Sequence, residues 1–331
     1  MSKINVFVGL DYHHSFIQVC VMDLSGKMLA NYRCPNSARE LVTQLKAYQV
    51  SAAIEACNGS SDLAEELVTL GWQVSLAHAT YVHKLKQSPD KTDWGDARLL
   101  ADLLRVGYLP KVWLPPHELR QLRHVVRRRQ QLAEGRRNAK LRLTSLLRCE
   151  RVEFSGSRWT IPWKKAVRNC RELGEHGQWL AGELLDEIDH FERQIAAVEA
   201  RREQLTKDDS FVQQLMSYKG VGLITAVTLR AELGTMSRFR SGKQLSRFSG
   251  ISPRNASSGK KEADAGLIKA GNKELRRVLI QLAHRLMRTD PRWIALGASL
   301  KARGKPGSVA AAAVANRWMR WLYHQLLPLA V

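Results

Sequence analysis

The apolar positions of the first hundred residues come in short, dense runs. Residues 4–10 are almost wholly apolar and end at Asp11, the pattern of a strand buried on both faces. Residues 16–22 make a second run, Ser25-Gly26 reads as a turn, and residues 27–34 can follow as a third strand. Asn36 or Ser37 can cap a helix running to about Tyr48, and residues 52–54 form a short strand ending at Glu55. A helix over roughly 62–70, a strand over 74–77 and a helix from Thr92 onward continue the alternation. Three strands able to meander, followed by alternating helices and strands, predict an α/β layer domain.

This order fits an RNase H-like domain, although periodicity supports the α/β class without fixing the topology. Residues 110–116 break the pattern and read as a linker. Residues 117–148 are helical in character and very basic, and an irregular stretch over 155–163 follows. From Leu184 the apolar spacing alternates between four and three through Ile188, Phe191, Ile195 and Val198 to Leu205, with charged residues between and Arg202 interrupting the seam. That is the a/d pattern of a coiled coil, formed within the chain against the 117–148 helix or between subunits. A single helix packed inside its own domain would also carry it. From Phe211 onward a compact, mostly helical domain is expected.

Charge changes the picture most. The chain of 331 residues carries 52 Lys and Arg against 31 Asp and Glu, a formal net charge of +21. Such a protein usually meets a polyanion, because each phosphate contacted releases condensed counterions. A ribosome-associated or membrane-surface protein would share the basicity. The five cysteines are odd in number and have no C-x-x-C spacing, which argues against a disulfide framework or a zinc ribbon. The N-terminus has no signal-like apolar stretch and no apolar run is long enough to cross a bilayer. A cytoplasmic location is expected, nucleoid-associated if the source is bacterial, with no membrane partner.

Two groups of residues can carry chemistry. Asp11 and Glu55 each end a buried strand, and adjacent parallel strands would place both at the same carboxyl edge of the sheet. Asp93 and Asp96 are three apart at a helix start, hence on one face. Four converging carboxylates repel one another and are tolerable with divalent cations; Mg2+ or Mn2+ suits phosphate chemistry. Taken singly, each acid has an ordinary structural reading as a turn residue or as half of a capping box.

The second group lies near the C-terminus. Lys219-Gly220-Val221-Gly222 resembles a helix-hairpin-helix turn, whose glycines allow a tight bend and whose next helix offers N–H groups to a phosphate; an ordinary helix corner would look the same. Residues 249–261 form a polar loop with Ser257, Ser258, Lys260 and Lys261. A serine hydroxyl needs a base, a metal or nearby cations to act as a nucleophile. Arg254, Lys260, Lys261, Arg276 and Arg277 can supply cations, while Arg127, Arg128, Arg129, Arg136, Arg137 and Lys219 are further candidates for phosphate contact.

These residues resemble a known family, the DEDD-type insertion-sequence transposases, bridge-RNA-guided serine recombinases related to Piv-type DNA invertases. The resemblance rests on Val8-Gly9-Leu10-Asp11, Ile54-Glu55-Ala56-Cys57 and residues 91–98 (KTDWGDAR). It continues through residues 219–226, Phe248-Ser249-Gly250-Ile251-Ser252-Pro253, Ser258-Gly259, Lys269-Ala270-Gly271-Asn272 and Leu275-Arg276-Arg277. It implies an RNase H/RuvC-like domain over 1–112, a basic helical and coiled-coil region over 113–206, and a mostly helical transposase domain over 207–331. It also implies that Asp11, Glu55, Asp93 and Asp96 bind magnesium and that Ser258 is the nucleophile of a covalent phosphoserine intermediate. Donor and target DNA, a structured non-coding bridge RNA and a dimeric or tetrameric assembly are the implied partners. Where relatives have a lysine shortly after the first acid, this chain has Tyr12-His13-His14-Ser15, and His14 is expected in that place.

Three functions follow in order of expectation. The first is recombination through a serine–DNA link. The second is a RuvC-like metal-dependent nuclease or transposase using water or a 3′-hydroxyl. The third is a nucleic-acid-binding protein without catalysis.

Overall fold

The computed structural model describes residues 4–86, 92–255, 264–268 and 270–327. The chain divides into two compact units, Met1–His117 and Glu118–Val331. Both segments expected after residue 112 fall mainly in the second unit, with residues 113–117 grouped in the first.

The first unit begins with a meander of β1 (Ile4–Tyr12), β2 (Phe16–Met22) and β3 (Met28–Pro35). Then come α1 (Ala38–Gln44), β4 (Tyr48–Glu55), α2 (Ser60–Thr69), β5 (Gln73–Ala77), α3 (Ala79–Leu85), α4 (Asp93–Arg105) and the two-residue β6 (Lys111–Val112). They form a sheet of order β3-β2-β1-β4-β5-β6. The β1–β2 and β2–β3 pairs are antiparallel, β1–β4 and β4–β5 are parallel, and β6 returns antiparallel to β5. The expected meander and alternation are present. Ser37 caps α1 by accepting a hydrogen bond from the Glu40 N–H. The helix stops at Gln44 rather than near Tyr48, because Tyr48 already pairs with Ile4 and Val50, Ala52 and Ile54 are needed in the core. The linker expected over 110–116 contains β6.

Strand alternation sorts β1 onto two faces. Val6, Val8 and Leu10 enter a core with Leu41 of α1 and Leu63 and Leu67 of α2. On the opposite face Phe7 packs against a cluster containing Leu100, Leu103 and Leu104 of α4. Ala97 and Ala101 of α4 sit against Cys20 and Met22. Between them lies Gly9, where a Cβ would collide with the Ala97 carbonyl oxygen and come within 2.6 Å of the Ala101 nitrogen. The helix backbone therefore rests on the strand backbone at this point, and only glycine permits it.

The second unit is helical. It contains α5 (His117–Cys149, whose first residue is grouped with the first unit), α6 (Ile161–Arg168), a 3-10 turn at Arg171–Leu173, α7 (Gly174–Thr206), α8 (Ser210–Ser217) and α9 (Leu223–Leu233). A second 3-10 turn at Met236–Arg238 and α10 (Gly242–Phe248) precede a small antiparallel hairpin of β7 (Pro253–Asn255) and β8 (Asp264–Leu267). The unit closes with α11 (Lys273–Thr289), α12 (Pro291–Ala302) and α13 (Gly307–Leu326).

The seam of α7 pairs within the chain, antiparallel to α5. Arg129 bonds Glu199 at 2.9 Å, Lys140 bonds Glu192 at 3.2 Å, and Arg142 lies 3.6 Å from Glu187, so the register runs in opposite directions. Gly135 faces the Phe191 ring, where a Cβ would approach to 2.5 Å. Leu184 and Ile188 are buried with Leu143 and Leu147. The seam does not end at Leu205, which is 46% exposed; it passes through buried Arg202 to Thr206. Desolvation lowers the Arg202 guanidinium pKa.

A buried acid ties α5, α9 and α11 together. Glu232, only 1% exposed, accepts from Arg127 at 3.3 Å and from the Asn272 side-chain amide at 2.8 Å. Asn272 in turn caps α11 by accepting from the Glu274 and Leu275 N–H groups. Nearby, Arg238 lies over both the Phe239 and Phe248 rings at 4.7 Å, and burial lowers its pKa to about 10.

The Gly9 contact makes a direct prediction. Gly9→Ala forces α4 off the sheet and should cost about 1–3 kcal/mol, the usual range for overpacking. Chemical denaturation followed by circular dichroism reads this, and an unchanged midpoint would show that α4 does not rest on Gly9.

Candidate active site

Three side chains converge where β1 meets the start of α4. Asp11, His13 and Asp93 each bring one ligand atom to within 4.8 Å of the others. His13 Nε2 lies 3.3 Å from Asp11 Oδ2 and 3.4 Å from Asp93 Oδ1. The sharp β1–β2 turn folds the ring back over the strand end. There it stacks on Phe16 with centroids 4.4 Å apart, and the Asn36 side-chain amide donates to the His13 carbonyl oxygen at 3.1 Å. It is thus His13 whose ring meets the acids. Position explains this: the residue two beyond Asp11 returns to the strand's own end, while His14 lies at the turn and contributes its carbonyl oxygen to Asn36.

Asp93 and Asp96 share the first turn of α4, which Thr92 caps by accepting from the Gly95 N–H. Arg33 donates to Asp93 at 3.2 Å, and Lys86 pairs with Asp96. Glu55 ends β4, one residue beyond the Leu10–Ile54 register pair and so beside Asp11 on a parallel strand. The Cys57 thiol, raised chiefly by burial, is also raised by the charges of Glu55 and Asp11. The four expected acids therefore lie at one sheet edge. Only Asp11 and Asp93 belong to the tight group with His13.

The electrostatics of this edge are strained. Burial raises the Asp11 carboxyl pKa above its ordinary value; His13 lowers it, and the charges of Asp96 and Asp93 raise it again. Burial and the neighbouring acids disfavour the ionised form of Asp11, and a bound cation would offset this. The donor set can hold a metal ion, with carboxylate oxygens suited to a hard divalent cation and one imidazole able to join or to orient them.

The C-terminal candidates divide differently. Ser257, Ser258, Lys260 and Lys261 lie outside the described residues. The flanking β7 and β8 pair through Asn255 and Asp264. The base of this hairpin is fastened firmly. The Ile268 N–H donates to the Ser252 carbonyl, and the Asn272 N–H donates to the Phe248 carbonyl. Gly271 stacks on Gly250 so closely that a Cβ would lie 2.5 Å from the Gly250 nitrogen. Arg276 donates to the Gly271 carbonyl at 3.1 Å, and Arg277 pairs with Glu274 at 3.0 Å. Arg127 and Arg129 are likewise engaged, with Glu232 and Glu199. By contrast Arg128, Arg137, Lys219 and Arg254 are exposed, and with half-buried Arg136 they have no ion-pair partner among the described residues. Helices α8 and α9 meet at Gly220, whose φ of +82° makes the tight turn expected of a helical hairpin.

Comparisons with known proteins identify the class of enzyme. Residues 8–149 match a family model of DEDD transposases of the IS110 type, and residues 212–297 match the model described as Transposase IS116/IS110/IS902 family. The chain is 27% identical to the transposase for insertion sequence element IS1111A of Coxiella burnetii, covering 95% of this chain and 88% of that protein. It is 27% identical to a probable family 20 transposase of Pseudomonas aeruginosa, covering 96% and 95%. Against the transposase for insertion sequence element IS1328 of Yersinia enterocolitica it is 26% identical, covering 83% and 82%. These matches identify a transposase, an enzyme of DNA strand transfer, and the six-stranded first unit is consistent with a RuvC-like domain. The chain belongs to the IS110/IS116/IS902 family of DEDD transposases. Among the described residues no helix is long and apolar enough to cross a membrane.

The raised Asp11 pKa sets a pH dependence. A carboxyl raised on folding contributes stability that is present below its ordinary value and lost as pH rises through the folded value. Metal-free protein should therefore lose stability on that rise, while Mg2+, which favours the ionised form, should raise the melting temperature more as the pH rises from below the ordinary carboxyl value to above the raised one. Asp11→Asn should remove this pH dependence of the Mg2+ effect. A magnesium shift that does not change across that rise in the unmodified protein would contradict the assignment.

Proposed function

We propose that the transposase cuts and rejoins DNA through a covalent phosphoserine intermediate at Ser258, assisted by a divalent cation on the DEDD acids and guided by a bridge RNA. The observation that carries the metal part is the convergence of Asp11 and Asp93 at one sheet edge, with Glu55 and Asp96 beside them. The family match across residues 8–149 supports all four as the acid set. The serine part rests on the resemblance at Ser258-Gly259 and on the fastened base of the β7–β8 hairpin that carries this segment.

In this reading Ser258 Oγ attacks a DNA phosphorus, its proton passing to a neighbouring base, and the displaced deoxyribose oxygen leaves as a hydroxyl. The serine–phosphate ester conserves the bond energy, so a hydroxyl of the partner strand can attack it and release the serine without net hydrolysis. Asp11, Glu55, Asp93 and Asp96 would hold Mg2+ or Mn2+, which when bound supplies charge stabilisation to the phosphate undergoing displacement. His13 orients Asp11 and Asp93, and Lys86 and Arg33 balance charge when the metal is absent. Acids and serine are contributed by different subunits of a multimer, as the resemblance implies. Arg128, Arg136, Arg137, Lys219 and Arg254 are the cations left for nucleic-acid phosphates. A second reading, in which the acids activate water or a 3′-hydroxyl and Ser258 is structural, is favoured by the completeness of the acid edge in the first unit alone.

The protein incubated with Mg2+, element-end DNA and RNA transcribed from the flanking sequence should give a denaturant-resistant protein–DNA adduct. Ser258→Ala should lose the adduct and Ser257→Ala keep it; omission of the RNA should abolish it. Strand cleavage that survives in Ser258→Ala would replace the serine mechanism with the second reading.

A further inference from the structure

The C-terminal end of α5 carries a cavity that neither the acid edge nor the β7–β8 hairpin lines. Its volume is about 490 Å³, and its lining includes Arg148, Arg151, Arg158, Glu153, Phe154 and Trp163, within the roughly 300–1,000 Å³ typical of small-ligand sites. Phe154 and Trp163 meet edge to face at 5.9 Å, and Trp159 leans on Trp163 at 5.0 Å beneath the Lys140 ammonium. Trp163 is 4% exposed, and its indole N–H has no hydrogen-bond partner among the described residues. A buried donor left without an acceptor is costly, so an acceptor supplied from outside would be favoured.

The backbone here is strained. Arg151 (φ +55°) and Trp159 (φ +72°) are the two non-glycine residues with positive φ among the described residues. The α5 helix ends with the Val152 N–H bonded to the Leu147 carbonyl and the Arg151 N–H bonded to the Arg148 carbonyl. This termination favours glycine where Arg151 stands. An arginine kept in the left-handed region, on the wall of a cavity, points to a use for its side chain. Arg148, Arg151 and Arg158 are all exposed and have no ion-pair partner among the described residues. Three cations around an aromatic floor suit an anion that also presents a flat ring.

We propose that this cavity binds one unpaired nucleotide of a nucleic-acid strand. Its base stacks on Phe154, and its flanking phosphates lie among Arg148, Arg151 and Arg158. The Trp163 N–H supplies a hydrogen bond to a base or sugar oxygen, and Glu153 accepts from an exocyclic amino group. A duplex cannot enter, because its bases are stacked and paired. The chemistry is common to single-stranded RNA and single-stranded DNA.

The test uses the full chain and three fluorescent probes of one sequence: a short single-stranded DNA, its RNA counterpart and the DNA duplex. Arg151→Gly removes a cation while relieving the left-handed backbone, so the protein should melt at or above the temperature of the unmodified chain. It should bind single strands roughly tenfold more weakly, with a salt slope shallower by about one, and leave duplex affinity within about twofold. Phe154→Leu should weaken single-strand binding without changing the salt slope. The larger loss, for RNA or for DNA, identifies the strand that supplies the nucleotide. Equal losses for single strands and duplex would reduce the arginines to a general phosphate contact and overturn the proposal. So would unchanged single-strand affinity in Arg151→Gly. No step of this assay depends on the acids or on Ser258, so catalytic failure cannot be mistaken for loss of this site.

Discussion

The first unit depends on one close approach. At Gly9 the backbone of α4 lies directly on β1, with the Ala97 carbonyl and the Ala101 amide occupying the space a side chain would need. Asp11 is two residues further along the same strand, and Asp93 and Asp96 occupy the first turn of the same helix. The crossing therefore sets how far these acids stand from one another. A larger residue at position 9, or larger residues at 97 and 101, would lift the helix and spread the cluster. The small side chains that look unremarkable in the sequence are what make the carboxylate edge compact.

Compactness has an electrostatic consequence. Asp11 is buried enough to resist ionisation and sits in the field of Asp93 and Asp96. The protein offsets this with donors of its own: the His13 ring between Asp11 and Asp93, the Arg33 cation on Asp93, and the Lys86 cation on Asp96. These groups are placed where a divalent cation would exert the same effect. The second unit handles charge differently. There Glu232 is enclosed and answered by Arg127 and Asn272, so the acid joins three helices and leaves other arginines exposed for outside partners.

Much of this was legible in the sequence. The apolar runs ending at Asp11 and Glu55 gave strands on which both acids end a parallel pair, because burial on two faces leaves little else such runs can form. The seam from Leu184 gave the pairing face of α7, and its antiparallel partner is α5. Other features were hidden because they depend on tertiary context. His13 rather than His14 meets the acids because the turn after β1 reverses within three residues. Arg202 stays on the seam although it is charged, since its helix registers through Thr206 and leaves Leu205 outside. The helix α3 carries too few apolar residues, chiefly Val82 and Leu85, to announce itself. The basic pattern also does not show that Arg276 holds the Gly271 carbonyl or that Arg277 pairs with Glu274.

The catalytic cation is proposed to lie at the edge joining β1 to α4. Anomalous diffraction from crystals of the protein soaked in Mn2+ tests it most directly. A manganese peak is expected between the carboxylates of Asp11 and Asp93, absent from crystals of Asp93→Asn. A peak instead among Asp62, Glu65 and His117, a second group able to hold an ion, with none at Asp11, would contradict it.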